Sequence, residues 1–155
     1  MIDLARKKLF LLDMDGTIYL GDRLFDGTLD FLRRVREKGG RYLFATNNSS
    51  RGVTAYVERL RGMGIDAVEE DFLTSTDALI WYLRGRYDDA LIYAFGTRTF
   101  RQQLREAGFR ITDKREEGIS LLVCGFDTEL TFQKLEDACI LLGDPKVDFI
   151  ATNPD

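Results

Sequence analysis

The sequence predicts an α/β protein built on a parallel sheet covered by helices, with a second α/β layer beginning downstream. Three observations predict it. Leu9-Phe10-Leu11-Leu12 is an unbroken apolar run that stops at Asp13-Met14-Asp15-Gly16-Thr17. Tyr42-Leu43-Phe44-Ala45 is a second run that stops at the polar string Thr46-Asn47-Asn48-Ser49-Ser50. Between them lies a segment of helical period, so the three together read as a βαβ unit, right-handed and parallel. Short apolar runs of this kind read as strands buried on both faces.

In chain order, Gly16 allows a sharp turn after the first strand and Thr17 offers a hydroxyl there. Ile18 to Phe25 reads as a short hairpin around Gly21-Asp22, placed as a flap over the carboxylates or as a plain connection. Thr28 to Lys38 carries Leu29, Leu32 and Val35 on one face and Arg33, Arg34, Arg36 and Lys38 on the other, with Gly39-Gly40 as the stop. Tyr56, Leu60 and Met63 form the apolar face of the next helix. Phe72 to Thr76 is a strand-to-helix junction capped by Ser75 or Thr76, and Ala78 to Leu83 is an apolar helix with Trp81 expected in the core.

Around Arg84-Gly85-Arg86-Tyr87-Asp88-Asp89 the composition turns polar, which places a domain join there, with residues 1–88 before it and 89–155 after it. A second α/β pattern follows. A strand over 90–95 leads through Gly96-Thr97 to a helix facing inward with Phe100, Leu104 and Ala107. Lys114 to Glu117 is a charged loop. A strand over 119–124 ends at Gly125-Phe126-Asp127. A helix over 131–142 turns Phe132, Leu135, Cys139 and Leu142 inward, and residues 147–151 begin another strand.

The carboxylates at Asp13 and Asp15 stand where an open parallel sheet binds ligands, at the carboxyl end of a strand. A carboxylate can attack phosphorus and form an aspartyl-phosphate, and a second acid can protonate the leaving alkoxide and later deprotonate water. Asp13 suits the first role and Asp15 the second. Two carboxylates beside a phosphate dianion imply a divalent cation. Mg²⁺ matches because it prefers oxygen ligands and bridges to phosphate. Thr46 and Asn47 emerge at the same sheet edge, where a hydroxyl and an amide can hold phosphoryl oxygens. Taken alone, the Thr-Asn-Asn-Ser-Ser string also reads as a polar turn with a helix cap.

Composition excludes several classes. Apolar content is 45% and formal net charge −4, which argues against nucleic acid or an anionic membrane as partner. No run approaches transmembrane length, and the start lacks the apolar core of a signal peptide. Cys124 and Cys139 are too few for a disulfide framework, and a reducing cytoplasm is the simplest setting. There is no histidine, so Ser-His-Asp and Cys-His machinery is excluded.

Asp13-Met14-Asp15-Gly16-Thr17 resembles the first motif of the haloacid dehalogenase superfamily, and Phe44 to Ser50 resembles its second. The Thr-Asn-Asn-Ser form is similar to the NagD and 4-nitrophenylphosphatase branch, whose members carry a large α/β cap. Phe149 to Asp155 resembles a cap loop of that branch. The resemblance implies a Rossmannoid core, here incomplete, plus the start of a cap. It implies a Mg²⁺-dependent phosphomonoesterase for small phosphorylated metabolites such as sugar phosphates or nucleotides. It further implies Asp13 as nucleophile and metal ligand, and Asp15 as acid–base and as a metal ligand through its backbone carbonyl. Gly16, Thr17, Thr46 and Asn47 would contact phosphate, and Asn48, Asn153 and Asp155 would reach the substrate. Caps of this branch can dimerise, which allows a homodimer through the cap.

The superfamily's third motif supplies a lysine and its fourth supplies further metal carboxylates, both downstream of the cap in this branch. Neither pattern occurs here, and Asp88-Asp89 matches neither. The chain therefore resembles the N-terminal half of a phosphatase of roughly 250 residues, a size that fits two domains, and little activity is expected of it alone. The rival reading is a non-catalytic module that binds phosphorylated ligands or a protein. A flavodoxin-like receiver domain is disfavoured, because its phosphoacceptor does not end the first strand ahead of Gly-Thr.

Overall fold

The computed structural model describes residues 6–154. Backbone packing divides them into two compact units. One holds the chain up to Thr46 together with Val53–Leu73, and the other holds Asn47–Gly52 together with Thr74 onward. The composition-based join at 88/89 falls inside the second unit.

In the first unit, β1 (Leu9–Asp13) leads to a two-stranded hairpin of β2 (Tyr19–Leu20) and β3 (Arg23–Leu24). Helix α1 (Thr28–Glu37) then carries the chain to β4 (Arg41–Thr46), followed by α2 (Val53–Gly62) and β5 (Phe72–Thr74). The sheet order is β1-β4-β5, with β1 and β4 parallel from Leu9 opposite Arg41 to Asp13 opposite Ala45. The predicted βαβ unit and the hairpin are both present.

Strand parity sorts the sheet into two unlike faces. Phe10, Leu12, Tyr42, Phe44 and Phe72 join a cluster with Leu32 and Val35 of α1 and Tyr56, Val57 and Leu60 of α2. Aromatic contacts tie it together: Phe10 meets Phe31 edge-on at 5.5 Å between ring centres, and Phe72 touches both Phe44 and Tyr56. On the opposite face Leu9 is 54% exposed and Leu11 61%. The expectation that β1 is buried on both faces is therefore corrected. Both helices pack on one side, and among the described residues β1 has a strand neighbour only in β4. Within α1, Leu32 and Val35 are buried but Leu29 points outward.

The second unit is a four-stranded parallel sheet of order β7-β6-β8-β9. Its elements are α3 (Ser75–Leu83), β6 (Leu91–Phe95), α4 (Arg98–Glu106), β7 (Arg110–Thr112), β8 (Ile119–Cys124), α5 (Phe132–Leu142) and β9 (Asp148–Ala151). Here both faces are covered, as parallel sheets require. Ile92, Ala94, Leu121 and Val123 face Leu79, Leu83, Phe100 and Leu104, while Tyr93 and Leu122 face Ala138 and Leu141. The short strand β7 has no counterpart in the sequence-level reading.

Three expectations fail here for identifiable reasons. The cap of α3 is Thr74, whose hydroxyl accepts the Asp77 N–H at 3.1 Å while its own N–H donates to the Asp77 carboxylate at 2.9 Å. This reciprocal box outcompetes capping by Ser75 or Thr76. Trp81 is 74% exposed, because Leu79 and Leu83 are the inward pair of α3 and residue 81 lies on the far side of the helix. On α5 the buried residues are Asp137, Ala138 and Leu141, not Phe132, Leu135, Cys139 and Leu142. That helix has two apolar faces, and the one bearing the small Ala138 packs on the sheet.

Phe44→Ala is expected to destabilise the chain by about 3–5 kcal/mol, against less than about 0.5 kcal/mol for Leu11→Ala. Urea unfolding of the two variants checks the difference. Equal losses would contradict a sheet covered on one face.

Candidate functional site

The site begins with strand register. Because Asp13 lies opposite Ala45, the last residues of two parallel strands bring Asp13 beside the segment entering Thr46, which is buried. Beyond Asp13 the chain closes on itself at once. The N–H groups of Thr17 and Ile18 donate to the Met14 carbonyl at 3.1 and 2.9 Å, and Gly16 N–H donates to the Tyr19 carbonyl at 2.8 Å. Met14 is fully buried and anchors this turn. Gly16 has φ of +84°, a left-handed conformation that a side chain disfavours. The turn leaves both Asp13 and Asp15 exposed to solvent.

Thr17 Oγ1 donates to Asp13 Oδ2 at 3.0 Å, which fixes one carboxylate oxygen. Of the residues assigned to phosphate, Gly16 and Thr17 thus have their main-chain donors engaged within the turn, and the Thr17 hydroxyl serves Asp13. Thr46 is at the strand end beside Asp13. Asn47 follows it in the chain but belongs to the second unit, where its carbonyl accepts from Ser75 Oγ at 2.9 Å.

A residue that sequence reading left in the hairpin supports the acid. Tyr19 is fully buried, and burial pushes its phenol up to about 12, with the nearby Asp15 charge adding to the shift. The Arg59 guanidinium lies 4.5 Å from the Tyr19 ring centre and opposes that shift. Arg59 also donates to the Gly21 carbonyl at 2.7 Å, so α2 pins the hairpin. The Tyr19 hydroxyl is buried beside Asp15 and feels its charge. The alternation of Ile18 and Tyr19 gave no sign of this, because Arg59 comes from forty residues away.

Other candidates lie in the second unit. Asn48 Oδ1 accepts from Ser50 N–H at 2.9 Å and Ser50 Oγ at 2.6 Å, closing a local turn. Asn153 Oδ1 accepts from Thr152 Oγ1 at 3.2 Å. Asp155 lies outside the described residues. Asp127 is a buried structural anion, held by Lys134 at 2.8 Å.

The donors at Asp13 and Asp15, a carboxylate and a backbone carbonyl, suit a hard divalent cation in kind. Among the described residues no group of three or more Asp, Glu, His or Cys side chains converges, so these two supply only part of an octahedral shell. No helix of the described residues is long and apolar enough to cross a membrane.

A family model described as haloacid dehalogenase-like hydrolase matches residues 10–110, and the chain belongs to that family. The acid sugar phosphatase of Staphylococcus aureus is 36% identical over 148 residues, covering 96% of this chain and 56% of the relative. The 4-nitrophenylphosphatase of Thermotoga maritima superposes with a TM-score of 0.89 at 40% identity, over 98% of this chain and 57% of that one. A glycerol phosphate phosphatase of Mycobacterium tuberculosis, solved with magnesium, has a TM-score of 0.88 at 27% identity, over 100% and 47%. The chain spans about half the length of these relatives.

The raised phenol carries a pH prediction. Between the ordinary pKa of 10.0 and about 12, folded Tyr19 keeps a proton that the unfolded chain has lost, so stability falls as pH rises through that window. Tyr93, also raised to about 12 by burial, adds to the same decline. Tyr19→Phe is expected to reduce the slope of stability against pH there by about one proton. Denaturant melts across the alkaline range measure it, and an unchanged slope would contradict the buried phenol.

Proposed function

We propose that this chain carries the nucleophilic half of a phosphomonoesterase acting on small phosphorylated metabolites, such as sugar phosphates or nucleotides, in the cytoplasm. The observation that carries the reading is Asp13 itself. It is an exposed carboxylate at the end of a parallel strand, oriented by Thr17 and set by register beside Thr46. The names of the relatives, phosphatases of sugar, glycerol and nitrophenyl phosphates, support the substrate class.

In this reading an Asp13 oxygen attacks phosphorus and the bond to the leaving oxygen breaks, giving an aspartyl-phosphate. Asp15 gives its proton to the departing alkoxide. It then takes one from the water that attacks the same phosphorus, which releases phosphate and restores Asp13. Thr46 and Asn47 hold phosphoryl oxygens as charge develops, while Gly16 and Thr17 shape the turn and aim the nucleophile. Asn48, Asn153 and Asp155 are the proposed contacts to the leaving group. Magnesium, bound by the Asp13 carboxylate and the Asp15 carbonyl, would neutralise charge between carboxylate and phosphate.

The incomplete set of metal donors favours a second reading for the chain by itself, a module that binds phosphorylated ligands without turning them over. Hydrolysis of 4-nitrophenyl phosphate with Mg²⁺ separates the two. The comparison takes this chain, a form extended to the length of its relatives, and Asp13→Asn in the extended form. Turnover by the extended form alone, reduced by at least about a thousandfold in Asp13→Asn, is expected. Full activity in Asp13→Asn would remove the nucleophile assignment. Activity in the 155-residue chain would show that the lysine and the further carboxylates are dispensable.

A further inference from the structure

The segment Asn47–Gly52 is built into the second unit with an economy that a simple linker does not need. Ser49 is fully buried. Its Oγ accepts the Phe126 N–H at 2.7 Å and lies 3.4 Å from Thr152 Oγ1. Thr152 Oγ1 in turn donates to Asn153 Oδ1 at 3.2 Å. These directions are mutually consistent: if the Thr152 proton goes to Asn153, the Ser49 hydroxyl is left to donate to Thr152. One chain of hydrogen bonds therefore runs from the Phe126 amide through Ser49 and Thr152 to Asn153.

The socket around Ser49 is specific. A Cβ at Gly125 would stand 2.7 Å from Ser49 Oγ, so only glycine lets the hydroxyl seat against this backbone. The wall behind it is stiff. The loop 125–127 is tied down by Asp127, whose carboxylate takes the Lys134 ammonium at 2.8 Å and the Glu129 N–H at 2.8 Å. Lys134 also donates to the carbonyls of Gly96 and Glu129. The residues flanking Ser49 are held as well, the Asn47 carbonyl by Ser75 Oγ and the Ser50 carbonyl by Thr97 Oγ1 at 3.0 Å.

We propose that Ser49 is a positioning residue, a buried latch that fixes the proposed phosphate ligand Asn47 in register with the proposed substrate contact Asn153. The proposal rests on the phosphatase reading above. Both ends of a phosphomonoester, the phosphoryl group and its leaving group, are then gauged by side chains anchored through one hydroxyl. Latch loss loosens substrate binding and leaves the nucleophile and acid in place, so its signature is in KM and not in kcat.

Steady-state kinetics on the extended, active form test it, with 4-nitrophenyl phosphate as substrate and inorganic phosphate as competitive inhibitor. Ser49→Ala and Thr152→Val are each expected to raise KM and the phosphate inhibition constant by ~10-fold, with kcat within about twofold of the parent. The double variant should lose less than the sum of the two, and Thr152→Ser, which keeps the hydroxyl, should behave as the parent. Thr152→Val keeps the test open should Ser49→Ala fail to fold. Unchanged KM in Thr152→Val, strict additivity, or losses confined to kcat would overturn the latch. No turnover by the extended form would instead overturn the phosphatase reading, and inorganic phosphate binding followed by calorimetry in the same variants would still score the latch separately. Full turnover in Asp13→Asn would overturn the nucleophile assignment alone.

Discussion

Everything proposed for this chain depends on the parallel pairing of β1 with β4. The ladder runs from Leu9 opposite Arg41 to Asp13 opposite Ala45, and it ends both strands at the same edge. Side chains alternate with a period of two along each strand, so a slip of β1 by one residue against β4 would turn Phe10 and Leu12 out of the aromatic core. The same slip would aim Asp13 at the opposite face of the sheet. Packing and placement of the carboxylate are thus one constraint. The register that buries the aromatic face is the register that presents the acid.

The turn beyond β1 converts that placement into geometry. Met14 is driven inward, which leaves residues 13 and 15 outward on either side of it. Gly16 supplies the left-handed backbone that brings Thr17 back toward Asp13. Tyr19 and Arg59 close the structure from below, with the guanidinium stacked on the ring and donating to the Gly21 carbonyl. The acid is exposed but its support is buried, an arrangement that keeps a solvated carboxylate in a fixed position.

Much of this was legible in the sequence because it is local. The strands at β1 and β4, the helix between them, the hairpin and the glycine turn all follow from period and turn chemistry over a few residues. What was not legible depended on partners distant in the chain. Four consecutive apolar residues could not say that Leu9 and Leu11 would be exposed, since that depends on which face the helices cover. The helix α5 carries two apolar faces, and only packing against Tyr93 and Leu122 selects the one with Ala138. Trp81 is exposed because its neighbours Leu79 and Leu83 fill the inward position. Ser49 lies in a string that reads as a polar turn, and its partner Phe126 lies 77 residues away.

The central claim is that Asp13 forms a covalent bond to phosphorus, and the most direct measurement traps it. In the extended form, Asp15→Asn should still be phosphorylated by 4-nitrophenyl phosphate, whose leaving group needs no proton, while its attack by water is slowed. Acid quench followed by peptide mass spectrometry is predicted to place a phosphoryl group on the peptide carrying Asp13, and to find none in Asp13→Asn. A phosphoryl group on any other residue, or one that survives in Asp13→Asn, would contradict the account.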